Sequence, residues 1–179
     1  MADNYLEKRM EDYLRGTPAG KNSYKISRNV FREPMPQRHV IMMGQVNDLA
    51  KSIMVKLSGC GCKVAFTSSN DTTPSKLAQE TGALFVPGSN VDRMLEVAKS
   101  RWGTIDFIIA IETKAQSALA QLNESIPVIT VTATEDEIPR SNEVLINAQP
   151  ERAAEVARLC AFLMLPGGEH FLGQTITIK

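Results

Sequence analysis

Apolar positions along this chain follow two alternating rhythms. HVIMM (39–43), CKVAFTSS (62–69), ALFVP (83–87), IDFIIAI (105–111) and PVITVTAT (127–134) are short, dense in β-branched and aromatic residues, and bounded by Gly, Pro or polar clusters, which predicts strands. Between them the period lengthens. Ile53, Val55 and Leu57 sit in a segment with helical spacing, residues 74–81 form a helix stopped at Gly82, and 91–100 carry Val91, Met94, Leu95 and Ala98 on one face ahead of Gly103. Residues 114–123 supply a further helix. Beyond the fifth strand come a short strand at 143–147, a helix opened by Pro150 and running to about 165, and GQTITI (173–178), whose alternation suits an edge strand. Near-continuous apolar strands alternating with amphipathic helices predict an α/β fold, a doubly wound and mostly parallel sheet, with right-handed crossovers placing helices on both faces.

Upstream of the first strand the pattern differs. Leu6, Met10 and Leu14 recur every four residues among charges, giving a helix over 4–14, and residues 16–37 are rich in polar residues, Gly and Pro, giving an extended arm. The chain thus divides into a helix-and-arm segment, 1–37, and an α/β domain, 38–179. The arm has two possible docking places, a neighbouring subunit or this chain's own sheet edge.

The stretch RHVIMMGQVNDLAKSIMVKLSG (38–59) organises the domain as strand, tight turn and helix. Such a unit commonly opens a nucleotide-binding sheet, because the turn and the helix's positive end present N–H groups to a phosphate. Here the turn carries Asp48, a carboxylate where a phosphate would sit. Asn47 and Asp48 are both favoured helix N-caps, so the chain is expected to supply its own anion and cap at this position.

Composition narrows the field of functions. With 43% hydrophobic residues in 179, the chain supports one well-buried core. Twenty basic residues balance twenty acidic ones, which argues against nucleic acid or an anionic membrane as partner. The N-terminal residues lack the apolar core of a leader and no later apolar run approaches a membrane span, so a soluble, cytoplasmic protein is expected. Three cysteines, Cys60, Cys62 and Cys160, without metal-ligand spacing, read as free thiols of a reducing compartment, with Cys60 and Cys62 flanking a turn.

In the order of its segments the chain resembles the short-chain dehydrogenase/reductase family. HVIMMGQVNDLAKSIMVKL resembles the family's opening unit, WGTIDFIIAIET its fourth strand, and INAQPERAAEVARLCAFLM with FLGQTITI its closing section. The resemblance covers roughly 39–178. It implies a Rossmann sheet, NAD or NADP as cofactor, and dimers or tetramers. On this chain the crevice would be lined by Gly44, Gln45, Asn47, Asp48, Ser69, Ser89, Asn90, Ala110 and Glu112.

The same comparison exposes three departures. The family's turn resembles Thr-Gly-x-x-x-Gly-x-Gly, and carried onto 43–50 only Gly44 survives, with Asp48 and Ala50 replacing the other glycines. Those glycines let the backbone approach pyrophosphate and the helix pack closely, so two β-carbons and a negative charge oppose the usual cofactor pose. Where the family resembles Asn-Asn-Ala-Gly, this chain has Ala110, Ile111, Glu112 and Thr113, and Ser89 stands where an aspartate toward adenine is expected. Finally, the family's acid is a tyrosine with a lysine four residues later. The only tyrosines here are Tyr5, Tyr13 and Tyr24, followed at that distance by Arg9, Thr17 and Arg28. The segment that would hold the pair is reduced to EDEIPRSN.

No other residues take over readily. His39 begins the first strand, away from the crevice, and His170 lies in a loop beside Glu169. Glu135, Asp136 and Glu137 form an acidic run after the fifth strand that reads as a solvated turn, and Thr130, Thr132 and Thr134 alternate near the place of the family's catalytic serine. We expect no catalytic residue and no metal. The reading is a degenerate short-chain-dehydrogenase-like module, homo-oligomeric, with no cofactor expected. The alternative is an NAD(P)-dependent oxidoreductase completed by a partner subunit or by Tyr13 or Tyr24 of the arm. A third is a crevice for an uncharged or cationic molecule recognised by Asp48 and Glu112. No particular small-molecule ligand is legible.

Overall fold

The computed structural model describes residues 37–69, 72–112, 126–134 and 138–178. All fall within one compact unit, Met35–Lys179. The expected helix at 4–14, nearly all of the arm, the helix at 114–123 and the acidic run 135–137 lie outside the described residues.

Seven strands form one sheet in the order β3-β2-β1-β4-β5-β6-β7. They are β1 His39–Gly44, β2 Lys63–Ser68, β3 Leu84–Pro87, β4 Phe107–Ile111, β5 Val128–Thr132, β6 Glu143–Ala148 and β7 Thr175–Ile178. Every neighbouring pair is parallel. The helices are α1 Asp48–Gly59, α2 Thr72–Thr81, α3 Val91–Trp102 and α4 Ala153–Leu163. Expected and observed ends differ by a residue or two, except that the helix after Pro150 begins as a 3-10 turn, Pro150–Arg152, and ends at Leu163.

Alternation along the strands divides the core. Val40, Met42, Phe66, Ile109, Ile111, Ile129 and Ile146 turn to one face, beneath α1, α2 and α4. Ile41, Met43, Ala65, Val86, Ile108, Ala110 and Val128 turn to the other, beneath Met94, Leu95 and Ala98 of α3. Both faces of the inner strands are dry, which is why their sequences read as unbroken apolar runs. Ile53, Met54, Leu57, Met94 and Leu95 are fully buried, and each such side chain contributes about 1.5–3 kcal/mol.

One crossover departs from the expected rule. The β1-α1-β2 and β6-α4-β7 connections step in opposite directions along a parallel sheet, yet α1 and α4 lie on the same face. The two crossovers therefore have opposite hands, and with β1-α1-β2 right-handed, β6-α4-β7 is left-handed. Mutual burial explains this. Packing α4 beside α1 lets Val156, Ala157, Cys160 and Ala161 join the cluster already formed by Ile53, Met54 and Leu57.

Candidate functional site: the carboxyl edge of the sheet

Strand order reverses between β1 and β4, so the loops at their carboxyl ends diverge and leave a crevice. Gly44 ends β1 with φ +113°, and a β-carbon there would stand 2.1 Å from the Ile111 carbonyl oxygen. The contact between β1 and β4 therefore requires glycine at this position, whatever binds nearby.

Asn47, not Asp48, caps α1. Its Oδ1 accepts a hydrogen bond from the Ala50 N–H at 2.9 Å, and its own carbonyl accepts from Lys51 at 2.9 Å. Asp48 is the first helical residue, exposed, and the only acidic group in that turn. A carboxylate there gains about 0.3–1 kcal/mol from the helix dipole. Ala50 is wholly buried, so helix and sheet pack with a β-carbon where the resemblance implies glycine. Among the described residues the N–H groups of Asp48 and Leu49 make no hydrogen bond. Gln45 is exposed, and its carbonyl accepts from the Asn47 N–H at 3.0 Å.

The neighbouring loops are tied down by their own residues. The Thr67 hydroxyl donates to the Gly88 carbonyl, and the Gly88 N–H donates to the Ser68 carbonyl at 3.0 Å. Ser69 and Ser89 are exposed beside this clamp. Asn90 is the cap of α3, accepting from the Arg93 N–H at 3.1 Å.

At the end of β4, Ala110 is fully buried and Glu112 has φ +49°, the only positive value among the described non-glycine residues. Its Oε1 accepts from the Ala133 N–H at 2.9 Å, and its backbone N–H donates to Val131 at 2.9 Å. The carboxylate thus bridges the ends of β4 and β5. Beside it, Thr132 and Thr134 hydroxyls lie 2.8 Å apart, and Thr132 Oγ1 accepts from the Thr134 N–H at 3.2 Å. Thr130 is buried and donates to the Glu143 carboxylate. Asn147, which the sequence reading did not single out, is buried and paired in register with Thr132. Glu112, Thr132 and Asn147 therefore sit across the carboxyl edge as hydrogen-bonding groups. The signal for Asn147 was an amide inside an otherwise apolar strand.

The described histidines and cysteines lie elsewhere. His39 is at the amino end of β1, stacked on Trp102 at 5.2 Å and 3.7 Å from Asp106. His170 is exposed in the turn that follows α4. Glu169 beside it accepts from the Gly167 N–H at 2.9 Å, and its own backbone N–H and that of Gly167 hold its carboxyl below the usual range. Burial, and secondarily Cys60, pushes the Cys62 thiol up to about 11, and burial pushes Cys160 up to about 12. Neither is poised as a thiolate. Among the described residues no group of three His, Cys, Asp or Glu is placed to hold a metal ion, and no helix is long and apolar enough to cross a membrane.

No family model and no curated protein matches the chain by sequence. Solved structures do. BdcA from Escherichia coli, also solved with NADPH, superposes with a TM-score of 0.61 at 17% identity over 81% of this chain and 100% of its own. An enoyl-(acyl-carrier-protein) reductase from Anaplasma phagocytophilum in complex with NAD gives 0.61 at 18% identity, covering 80% of this chain and 92% of its own. A short-chain dehydrogenase/reductase from Serratia marcescens gives 0.63 at 13% identity, covering 81% and 97%. The chain has the Rossmann-like fold of the short-chain dehydrogenase/reductase proteins. Its turn is a poor fit to a dinucleotide's pyrophosphate, because Asp48 brings negative charge to that place and Asn47 already occupies the Ala50 N–H.

Proposed function

We propose that this chain is a Rossmann-type binding or assembly module that has lost hydride-transfer chemistry. The observation that carries the reading is the connection between β5 and β6, which is only the ten residues 133–142. That length cannot hold a helix presenting a tyrosine and lysine on one face, and no tyrosine occurs after Tyr24. The crevice side chains that remain are used in holding the loops together: Asn47 and Asn90 as caps, Glu112 as a bridge. Titration with NADH and NADPH, followed by cofactor fluorescence and thermal melting, tests this directly. We expect no saturation below millimolar concentration, and micromolar binding of either cofactor overturns the reading.

The assembly half of the proposal rests on the last two elements. β7 pairs only with β6 among the described residues and alternates exposed and half-buried positions. Phe162 on α4 is 51% exposed while packing edge-on against Phe171 at 5.9 Å. An open strand edge and an exposed ring suit a second copy of the chain. Sedimentation of the wild type should show a homo-oligomer, which Phe162→Glu dissociates; a monomeric wild type removes this half of the proposal.

A second reading, an NAD(P)-dependent oxidoreductase completed from outside the domain, draws on the two uncommitted N–H groups of Asp48 and Leu49. It requires that Tyr13→Phe or Tyr24→Phe abolish a turnover that the wild-type oligomer shows with NAD(P)H and carbonyl substrates.

A further inference from the structure

A cavity of about 260 Å³ opens at the other end of the sheet, where β4, β5 and β6 begin and the turn after α4 crosses beneath them. With strand residues advancing ~3.3 Å each, the five residues of β4 set it roughly 16 Å from the carboxyl-edge crevice. It belongs to no part of the site described above. Its walls are largely apolar, from Phe107, Val128, Val144, Leu165 and Leu172 among others. They are also fixed. Gly168 lies so close to the end of α4 that a β-carbon would stand 2.0 Å from the Leu163 carbonyl oxygen, so the turn carrying Leu165 and Leu172 is seated against the helix.

Arg38 gives this apolar space one polar partner. Its Nε is buried with no hydrogen-bond partner, and its NH1 is 3.8 Å from Asp106 Oδ1, beyond hydrogen-bond length. The guanidinium lies over the Phe107 ring at 5.8 Å, and 30% of its side-chain surface stays accessible. Nε itself is closed to solvent, but the accessible NH1 and NH2 groups also carry N–H donors that no described protein group accepts, and these can receive an acceptor brought by a ligand. The two carboxylates on the rim decide what kind of acceptor. Asp106 accepts from the His39 backbone N–H at 2.7 Å and Glu169 from Gly167 at 2.9 Å. Against one guanidinium they leave the lining with an excess of negative charge, which repels an anion. A cation fares no better, because the Arg38 guanidinium lines the same space and repels it.

We propose that this cavity is a second binding site, for a small uncharged molecule with an apolar body and one hydrogen-bond acceptor, such as an aryl ketone or amide, which the Arg38 guanidinium receives. The inference is independent of whether the carboxyl-edge crevice binds a cofactor.

Four probes of similar shape separate the possibilities: acetophenone (neutral acceptor), ethylbenzene (no acceptor), benzoate (anion) and benzylamine (cation). Each is titrated into the full-length chain while backbone amide resonances are followed by NMR. Acetophenone should give saturable shifts at Val144, Leu165 and Leu172 and bind at least tenfold more tightly than the other three. Arg38→Met, which keeps the apolar stem, should lower acetophenone affinity to the ethylbenzene level, and Val144→Phe should remove binding by filling the space. The proposal is overturned if acetophenone gives no saturable shift at these amides, if ethylbenzene or either charged probe matches it, or if Arg38→Met leaves its affinity unchanged. The wild-type probe series decides the matter even where a variant folds poorly.

Discussion

Glu112 and Ala133 join the ends of β4 and β5: the Glu112 carboxylate accepts the Ala133 N–H at 2.9 Å, from a backbone held at φ +49°. The left-handed conformation costs a residue with a β-carbon about 1 kcal/mol or more, and the charge-assisted hydrogen bond offsets it. At a position that the resemblance places toward a cofactor, this chain carries a loop brace.

This pairing sets an order of stabilities at one position. Glu112→Ala loses the bond and keeps the strained backbone, and should destabilise by about 1–2 kcal/mol. Glu112→Gly loses the same bond but relaxes the backbone, and should be about 1 kcal/mol less damaging than the alanine variant. Urea unfolding of both variants checks the order; equal stabilities would show that φ at this position carries no strain.

Gly44 and Gly88 both have positive φ, +113° and +103°, but differ in what surrounds them. A β-carbon at Gly44 meets the Ile111 carbonyl at 2.1 Å, whereas nothing lies within 4 Å at Gly88. Gly44→Ala should therefore cost about 2–4 kcal/mol, combining backbone strain with separation of β1 from β4, and Gly88→Ala about 1 kcal/mol. Thermal melts of the two variants measure the gap, and comparable losses would argue against close contact at Gly44.

If Asp48 and Ala50 are what oppose a dinucleotide, restoring both glycines should open the turn. Asp48→Gly with Ala50→Gly is expected to raise NADH or NADPH affinity at least tenfold over the wild type, while Ala50→Gly costs about 1 kcal/mol in helix stability. Isothermal titration compares the two proteins. No gain would place the obstacle elsewhere, in the Glu112 bridge or the short β5–β6 connection.

The buried thiols make stability fall in alkali. Cys62 and Cys160 have folded values near 11 and 12 against an ordinary 9.0, so the folded state retains protons that the unfolded state releases. Their contribution is complete below pH 9 and is lost as pH rises from 9 through 11 for Cys62 and through 12 for Cys160, at up to about 1.4 kcal/mol per pH unit for each thiol. Urea midpoints at pH 7, 9 and 10 should decline over that interval, and Cys160→Ala should be less stable at pH 7 but show a shallower decline. An identical slope in the variant would mean that Cys160 ionises as readily folded as unfolded.

Much of the fold was legible because the signals that specify it are local. IDFIIAI and PVITVTAT are too apolar for any place but the interior of a parallel sheet, and Gly82 and Gly103 stop α2 and α3 where their periodicity ends. The site was legible mainly as a list of departures. Asp48, Ala50 and the missing downstream tyrosine were countable, but what replaced the lost contacts was not. Asn47 and Asp48 are equally good caps by composition, and the backbone angles at Asn47 with its hydrogen bond from Ala50 assign the role. His170 beside Glu169 reads as a loop residue in sequence, and the direction of α4 carries both to the amino edge of the sheet.

The sequence by itself determined the strands, the helices and the absence of a tyrosine–lysine pair, since periodicity and residue identity act over a few neighbouring positions. Tertiary structure alone decided that α4 lies beside α1 through a left-handed crossover, that Glu112 reaches Ala133 across 21 residues, and that Arg38 borders a cavity beside strands far along the chain. Those relationships depend on the order in which strands join the sheet. That order is fixed by how whole faces bury one another, and no short stretch of sequence carries it.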